Sequence, residues 1–333
     1  MRILIYTDAW SPQINGVART FSQVRAHCER LGHVVAVVSP EQFKTVPCPT
    51  YPQIPLALFP GRRVRRAFED VRPEAVHVAT EGPIGLAARN LMARRGLPFT
   101  TSYATRFPEY LSARVPLPLS WGYAAMRRFH GPSQGVMVAT ETIRRDLSAR
   151  NFANIVTWSR GVDADLFRPG FEPALSLPRP VHLYVGRVAV EKNIEAFLDL
   201  DLPGSKLVVG DGPQLDSLRA RYPDTVFAGA RFGEDLVRHY AAADVFVFPS
   251  RTDTFGLVML EALACGVPVA AFPVPGPLDV VDGSPAGVLD EDLAAAAARA
   301  IRIPPETCRA YALEFSWQAC AEQFLANLAP IPR

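Results

Sequence analysis

Short runs of consecutive apolar residues recur along the chain, and between them apolar residues return every three or four positions. The short runs, rich in Val, Ile, Phe and Tyr, predict strands buried on both faces, and the longer spacing predicts amphipathic helices. In the first half strands are expected over residues 2–7, 34–39, 75–79, 99–103 and 135–139, with helices over 17–31, 64–71, 84–95, 119–130 and 142–150. The pattern restarts with strands over 181–185, 206–209, 225–228, 245–248 and 267–271. Strand–helix alternation of this kind implies an α/β class with parallel sheets, helices on both faces, and ligands outside the carboxyl ends of the strands. A Pro-rich stretch, 167–180, reads as the linker between halves. Residues 316–328 read as a final amphipathic helix that Ser316 would cap.

Composition narrows this picture. With 333 residues, 49% of them apolar, the chain suits two domains with sizeable cores. No apolar run approaches the ~18 residues that span a bilayer, and residues 1–8 are too short for a signal peptide. The five cysteines lack metal-ligand spacing and are odd in number, so reduced thiols in a cytoplasmic protein are expected. The net charge of +2 hides an asymmetry: residues 1–160 carry 21 Lys and Arg against 10 Asp and Glu, and residues 161–333 carry 14 against 23. A basic first half suggests an anionic surface or substrate there.

The stretch with most chemistry is 245–270. An apolar strand ends at Pro249 and Ser250; a helix follows from about Gly256 to Cys265, with Thr252 or Thr254 as candidate caps, and Gly266 and Pro268 stop it. Asp253 lies in the loop and Glu261 inside the helix. The N–H groups of Phe255, Gly256 and Leu257 mark the helix start, where orphan donors and the helix dipole favour a diphosphate. The plainer explanation is a β–α unit carrying a loop charge and a helix-face charge.

Asp253, Phe255-Gly256 and then Glu261 eight positions after the first acid resemble the signature of retaining glycosyltransferases of family 4. That resemblance implies the GT-B fold: two Rossmann-like domains with parallel sheets facing a central cleft. It assigns Asp253 to hydroxyls of the donor sugar and Glu261 to the nucleotide ribose; Asp253 stands where many members have Glu. Tyr184-Val-Gly186-Arg187-Val-Ala-Val-Glu191-Lys192-Asn193 resembles the family's Gly-Arg…Glu-Lys element. Gly186 allows close backbone approach, and Arg187 and Lys192, the latter one of three lysines, supply cations for a diphosphate. The resemblance gives that pair the role a metal has in other glycosyltransferases, so no metal cofactor is expected. Gly210 and Gly212 of the Val-Gly-Asp-Gly-Pro turn are expected near the nucleotide, although a plain turn explains them nearly as well. Gly16, opening the first helix after Asn15, is expected to close over the diphosphate from the first domain. Arg160 and Asp163 match an interdomain segment and fit an ordinary turn or ion pair equally.

One position departs from the pattern. Thr101-Ser-Tyr-Ala104-Thr-Arg106-Phe-Pro resembles a family segment in which Tyr-His-Thr is common, its imidazole meeting the donor sugar near the reacting carbon. Ala104 has no hydrogen-bonding side chain. A natural variant and a His→Ala substitution both fit; should an imidazole there prove dispensable, Thr105 or Arg106 would be left to contact the sugar.

The expected domains are 1–165 with a returning helix at about 313–330, and 166–312. The expected activity is retaining, metal-independent transfer of a hexosyl group from a UDP-sugar or GDP-mannose to a lipid such as diacylglycerol. Alternatives are mannosyl transfer to phosphatidylinositol or another acceptor, an epimerase of the same fold, and an impaired sugar-nucleotide-binding protein. The resemblance is to bacterial enzymes that glycosylate diacylglycerol or phosphatidylinositol, and it implies a peripheral place on the inner membrane face. Arg62, Arg63, Arg65 and Arg66, around an apolar stripe of Val64, Phe68 and Val71, and the basic-aromatic stretch 119–130 are the expected anionic-membrane contacts. No nucleic-acid module is recognisable, so nucleic acid is not an expected partner.

Overall fold

The computed structural model describes the chain except residues 14, 49–50, 113–117 and 333, with backbone alone at 51–53, 110 and 111. The chain divides into two compact units, one of Met1–Arg160 with Trp317–Arg333 and the other of Gly161–Ser316.

In the first unit the chain runs β1 (Arg2–Tyr6), α1 (Gly16–Arg30), β2 (Val34–Val38), β3 (Thr45–Cys48), β4 (Tyr51–Ala57), α2 (Gly61–Val71), β5 (Ala75–Val78), α3 (Pro83–Arg94), β6 (Thr100–Tyr103), α4 (Phe107–Ser112), α5 (Leu119–His130), β7 (Gly135–Val138), α6 (Glu141–Ala149) and β8 (Ile155–Thr157). Six of these strands make one parallel sheet, β2-β1-β5-β6-β7-β8, and β3 and β4 pair antiparallel beside it. That hairpin is absent from the sequence expectation because Pro47, Pro52 and Pro55 interrupt it, and proline is tolerated only where a strand has a free edge. The edge strand β8 is too short to carry a period. Helix α1 shows how a face is chosen: Phe21, Val24 and Cys28 are buried three and four residues apart, and Asn15 Oδ1 caps the start by accepting from Ala18 N–H.

The second unit runs β9 (Val181–Val185), α7 (Glu195–Leu198), β10 (Ser205–Val209), α8 (Leu215–Arg221), β11 (Val226–Gly229), α9 (Gly233–Ala241), β12 (Val245–Phe248), α10 (Leu257–Ala264), β13 (Val269–Ala271), α11 (Pro277–Val280), β14 (Gly287–Leu289), α12 (Leu293–Ala300) and α13 (Pro305–Ala312). Its parallel sheet has the order β11-β10-β9-β12-β13-β14, the doubly wound Rossmann arrangement. Burial on both faces explains why β12 reads as an unbroken apolar run and β9 as one broken only by the buried His182. The strand order reverses between β9 and β12 here, and between β1 and β5 in the first unit. At such points adjacent loops diverge to opposite faces and leave a crevice at the strands' carboxyl ends.

Residues 167–180 are not a linker. They belong to the second unit, where Phe167 is buried against the Tyr240 ring and Ala174 N–H donates to Arg238 O. Their prolines serve an extended path over that unit's surface. The last helix, α14 (Trp317–Asn327), packs on α1 of the first unit. Trp158 Nε1 donates to Cys320 O at 3.0 Å, and the rings of Phe21, Trp158 and Phe324 pack together, tilted or edge to face.

Candidate functional site

The second unit's reversal point assembles residues from two loops. After β9, Gly186 and Arg187 lead to a short 3-10 turn, Val190–Lys192, which Asn193 ends in the left-handed region at φ 51°. After β12 comes the loop from Pro249 to Gly256. Asn193 Nδ2 donates to Pro249 O at 3.0 Å, and Thr252 Oγ1 donates to Glu191 O at 3.0 Å. Those bonds bring Lys192 against Asp253, and the ammonium pairs with Asp253 Oδ1. The pair is largely buried, with side chains 21% and 16% exposed. Asp253 Oδ2 and the buried Ser250 Oγ have no hydrogen-bond partner among the described residues. A cation, a carboxylate and unused acceptors thus converge where a ligand's phosphate and hydroxyls could meet them. Arg187 is half-buried in the same loop, and Tyr184 Oη donates to Arg187 O at 2.7 Å, setting the loop's path.

Helix α10 begins at Leu257, and neither Thr252 nor Thr254 caps it. Gly256 is the cap residue, at φ 84°, without a side-chain bond. The left-handed φ favours glycine, and a Cβ there would also crowd Met259 Cε at 2.8 Å and Phe248 Cζ at 3.1 Å. Phe255 is buried beside it, and Thr254 and Leu257 are half-buried on either side. Glu261 is buried inside the helix, accepting from Tyr240 Oη at 3.2 Å. Tyr240 gave no sequence signal, since it lies on the ordinary apolar face of α9.

Gly210 and Gly212 are held to glycine by the chain itself. A Cβ on Gly210 would fall 1.8 Å from Gly186 O, and one on Gly212 2.3 Å from Val188 O. The chain's own backbone fills that space, with Val188 N–H donating to Asp211 O at 2.9 Å. These glycines shape the Gly186–Arg187 loop from behind. Arg160 and Asp163 are also structural: Arg160 donates to Trp158 O and lies over the Trp158 ring, and Asp163 accepts from Leu166 N–H.

In the first unit, Gly16 is exposed at the start of α1, and Ala104 follows β6, half-buried. Arg106 is not available to a sugar. Its guanidinium is paired with Glu109 at 2.9 Å and Asp146 at 3.3 Å, and Tyr123 donates to the same Glu109. The apolar stripe of α2 is likewise not on the surface. Val64 is fully buried, and Phe68 and Val71 pack on the first unit's core. Arg62, Arg63, Arg65 and Arg66 are exposed, and so are Glu69 and Asp70 of the same helix. In α5, Tyr123, Phe129 and His130 are buried, while Leu119 and Trp121 are exposed.

Among the described residues no helix is long and apolar enough to cross a membrane. No group of three or more His, Cys, Asp or Glu among them could hold a metal ion.

The sequence matches the family model for Glycosyltransferase Family 4 over residues 14–166 and that for Glycosyl transferases group 1 over residues 179–303. It is 29% identical over 316 residues to a GDP-mannose-dependent alpha-mannosyltransferase of Mycobacterium tuberculosis, covering 87% of this chain and 83% of that protein. An alpha-monoglucosyldiacylglycerol synthase of Streptococcus pneumoniae is 25% identical, covering 97% of this chain and 83% of that protein. Among solved structures, sucrose-phosphate synthase from Thermosynechococcus elongatus superposes with a TM-score of 0.77 at 20% identity, covering 98% of this chain and 97% of that one. Sheet order, glycine-shaped loops and both matched domains agree, and the chain belongs to the family 4 glycosyltransferases of GT-B fold, which act from a nucleotide sugar.

Proposed function

We propose that the protein moves a hexosyl group from a nucleotide sugar to a lipid hydroxyl, with retention at the anomeric carbon and without a metal ion. The observation that carries this reading is the Lys192–Asp253 junction at the reversal point of the second sheet. Lys192 and Arg187 would neutralise the leaving diphosphate, Glu261 would accept hydrogen bonds from the ribose hydroxyls, and Asp253 would orient the sugar. The bond from the anomeric carbon to the phosphate oxygen breaks, and the acceptor oxygen bonds that carbon on the same face. The acceptor proton passes to the leaving phosphate, whose charge the two cations stabilise.

Diacylglycerol is the acceptor to try first, supported by the Streptococcus pneumoniae relative named for that lipid. A second reading is mannosyl transfer to another lipid acceptor such as phosphatidylinositol; the mannosyltransferase relative supports GDP-mannose as its donor. Peripheral attachment to anionic lipid through Arg62, Arg63, Arg65 and Arg66 fits the exposed basic face of α2. Ala104 removes a polar group beside the reacting carbon, so slow turnover with intact donor binding belongs to the proposal.

Calorimetry with UDP and GDP in EDTA, followed by NMR of the glycolipid product, tests it. A saturating diphosphate at 100 times its Kd should add about 2.7 kcal/mol of stability. Arg187→Ala should weaken that binding by about 1.5–3 kcal/mol, the scale of charged hydrogen bonds. Inversion in the product, or binding that appears only with magnesium, overturns the proposal.

A further inference from the structure

We propose that Asp8 is a positioning residue for the loop that carries Gly16, acting through Gln13 and Asn15. Strands β1 and β5 are neighbours at the first unit's reversal point, and Asp8 lies just past the end of β1. Its carboxylate, 5% exposed, reaches into the loop after β5. Oδ1 accepts from Ile84 N–H at 2.8 Å; Oδ2 accepts from Gly85 N–H at 3.1 Å and from Thr80 Oγ1 at 2.8 Å. Helix α3 has no side-chain cap of its own at Gly82. A Cβ on Gly82 would fall 2.5 Å from Asp8 Cγ, so that position is left open for the incoming carboxylate.

From Asp8 the bonding continues to the other helix. Asp8 O accepts from Gln13 Nε2 at 3.0 Å, and Gln13 Oε1 accepts from Asn15 Nδ2 at 3.2 Å. Asn15 Oδ1 then accepts from Ala18 N–H at 2.9 Å, capping α1, whose first residue is Gly16. The amides that start α3 are thereby joined to those that start α1. A serine or aspartate at position 82 would cap α3 locally and at the surface. Capping it from another strand buries a charge, which is costly even with three donors and a helix N-terminus around it. What the longer route supplies is a fixed geometry between the two loops that flank the crevice.

This inference rests on the reading that the Gly16 loop meets the donor's diphosphate. Gln13 separates positioning from capping, because it is half-exposed and its side chain bonds to Asp8 O and Asn15, not to the α3 amides that the Asp8 carboxylate caps. With UDP and GDP as calorimetric probes, Gln13→Ala should raise the Kd of the bound nucleotide about 5–10-fold with Tm unchanged, the weight of one hydrogen bond. Gln13→Glu keeps the acceptor for Asn15 but loses the donor to Asp8 O, and should behave like Gln13→Ala. Asp8→Asn, which keeps an oxygen for the helix amides, should lose less affinity than Asp8→Ala. Gly16→Val is the control for the underlying reading. If it leaves affinity unchanged, or neither nucleotide binds the native protein, that reading falls and the brace with it. If Gly16→Val weakens binding while Gln13→Ala and Asp8→Asn do not, the loop meets the donor and Asp8 is only a helix cap.

Discussion

Lys192 has two separable roles, and Lys192→Met tests both. Two unit charges in contact at an effective permittivity of about 20 attract by roughly 5 kcal/mol. Taking both ends out of water cancels most of that, and residual exposure screens the rest, so the net contribution to stability is about 1–2 kcal/mol. Removing the ammonium also leaves a carboxylate whose Oδ2 has no donor among the described residues. An unsatisfied buried acceptor costs about 1–3 kcal/mol, and the two losses overlap because they concern one carboxylate. A decrease near 2 kcal/mol, or about 4–8 °C in Tm for a unit of this size, is therefore expected from Lys192→Met. Lys192→Met/Asp253→Asn removes the stranded charge and should recover at least half of that loss. Affinity for the nucleoside diphosphate should not recover, because no cation returns; it should remain about ten-fold or more below native in both proteins. Urea titration gives the stability and calorimetry the affinity. A double variant no more stable than the single one refutes the pairing argument, and unchanged affinity in both refutes the diphosphate role.

Other outcomes follow from single positions. Ala104→His should raise glycosyl transfer about 10²–10³-fold with donor Kd nearly constant, because the added group acts where charge develops; an unchanged rate at equal folding would make the imidazole dispensable. His77 is fully buried between Thr100 Oγ1 and Ser102 Oγ, and burial, helped by the Arg160 charge and by His130, holds its pKa down to about 3. The folded value lies below the unfolded one, so the neutral ring's contribution is complete above pH 6.5 and is lost as pH falls toward 3. That loss is about 2 kcal/mol by pH 5, and a urea midpoint that stays flat from pH 7 to 5 would contradict it. Burial pushes the thiols of Cys28, Cys265 and Cys308 up to about 12 and that of Cys320 to about 11, while Cys48 is half-exposed. Native alkylation at pH 8 should therefore modify Cys48 rapidly and the other four only after unfolding; rapid modification of Cys320 would contradict the packing of α14 on α1.

The parallel sheets were legible because strands buried on both faces leave unbroken apolar runs, and because helices between them keep a separate period. The β3–β4 hairpin and the short edge strands were not, since prolines or brevity erase the signal. At the site, the sequence pointed to Lys192, Asp253 and Glu261 individually. It could not show that Lys192 and Asp253 pair, because that depends on Asn193 and Thr252 tying two loops that are far apart in sequence. Gly210 and Gly212 illustrate the same limit. Glycine signals close approach of something, and the fold shows that the backbone of Gly186 and Val188 approaches here.

Helix α2 shows why the acceptor side was the hardest to read. An apolar stripe flanked by arginines has the same periodicity whether it faces a protein core or a bilayer. Here Val64 is fully buried in the core, so the stripe is spent on folding and what remains exposed is a charged face of four arginines with Glu69 and Asp70. Arg66 shares an exposed pair with Asp70 at 3.5 Å, and Arg63 lies 5.7 Å from the centre of the Phe43 ring. Phe59, 94% exposed and held at φ 50° just before the helix, is the exposed large apolar side chain nearest in sequence to that face. On the proposed membrane role, attraction would then be electrostatic first, at about 1 kcal/mol per arginine near an anionic surface. Insertion of the helix itself is excluded, because withdrawing Val64, Phe68 and Val71 would open the first unit's core at a cost of several kcal/mol.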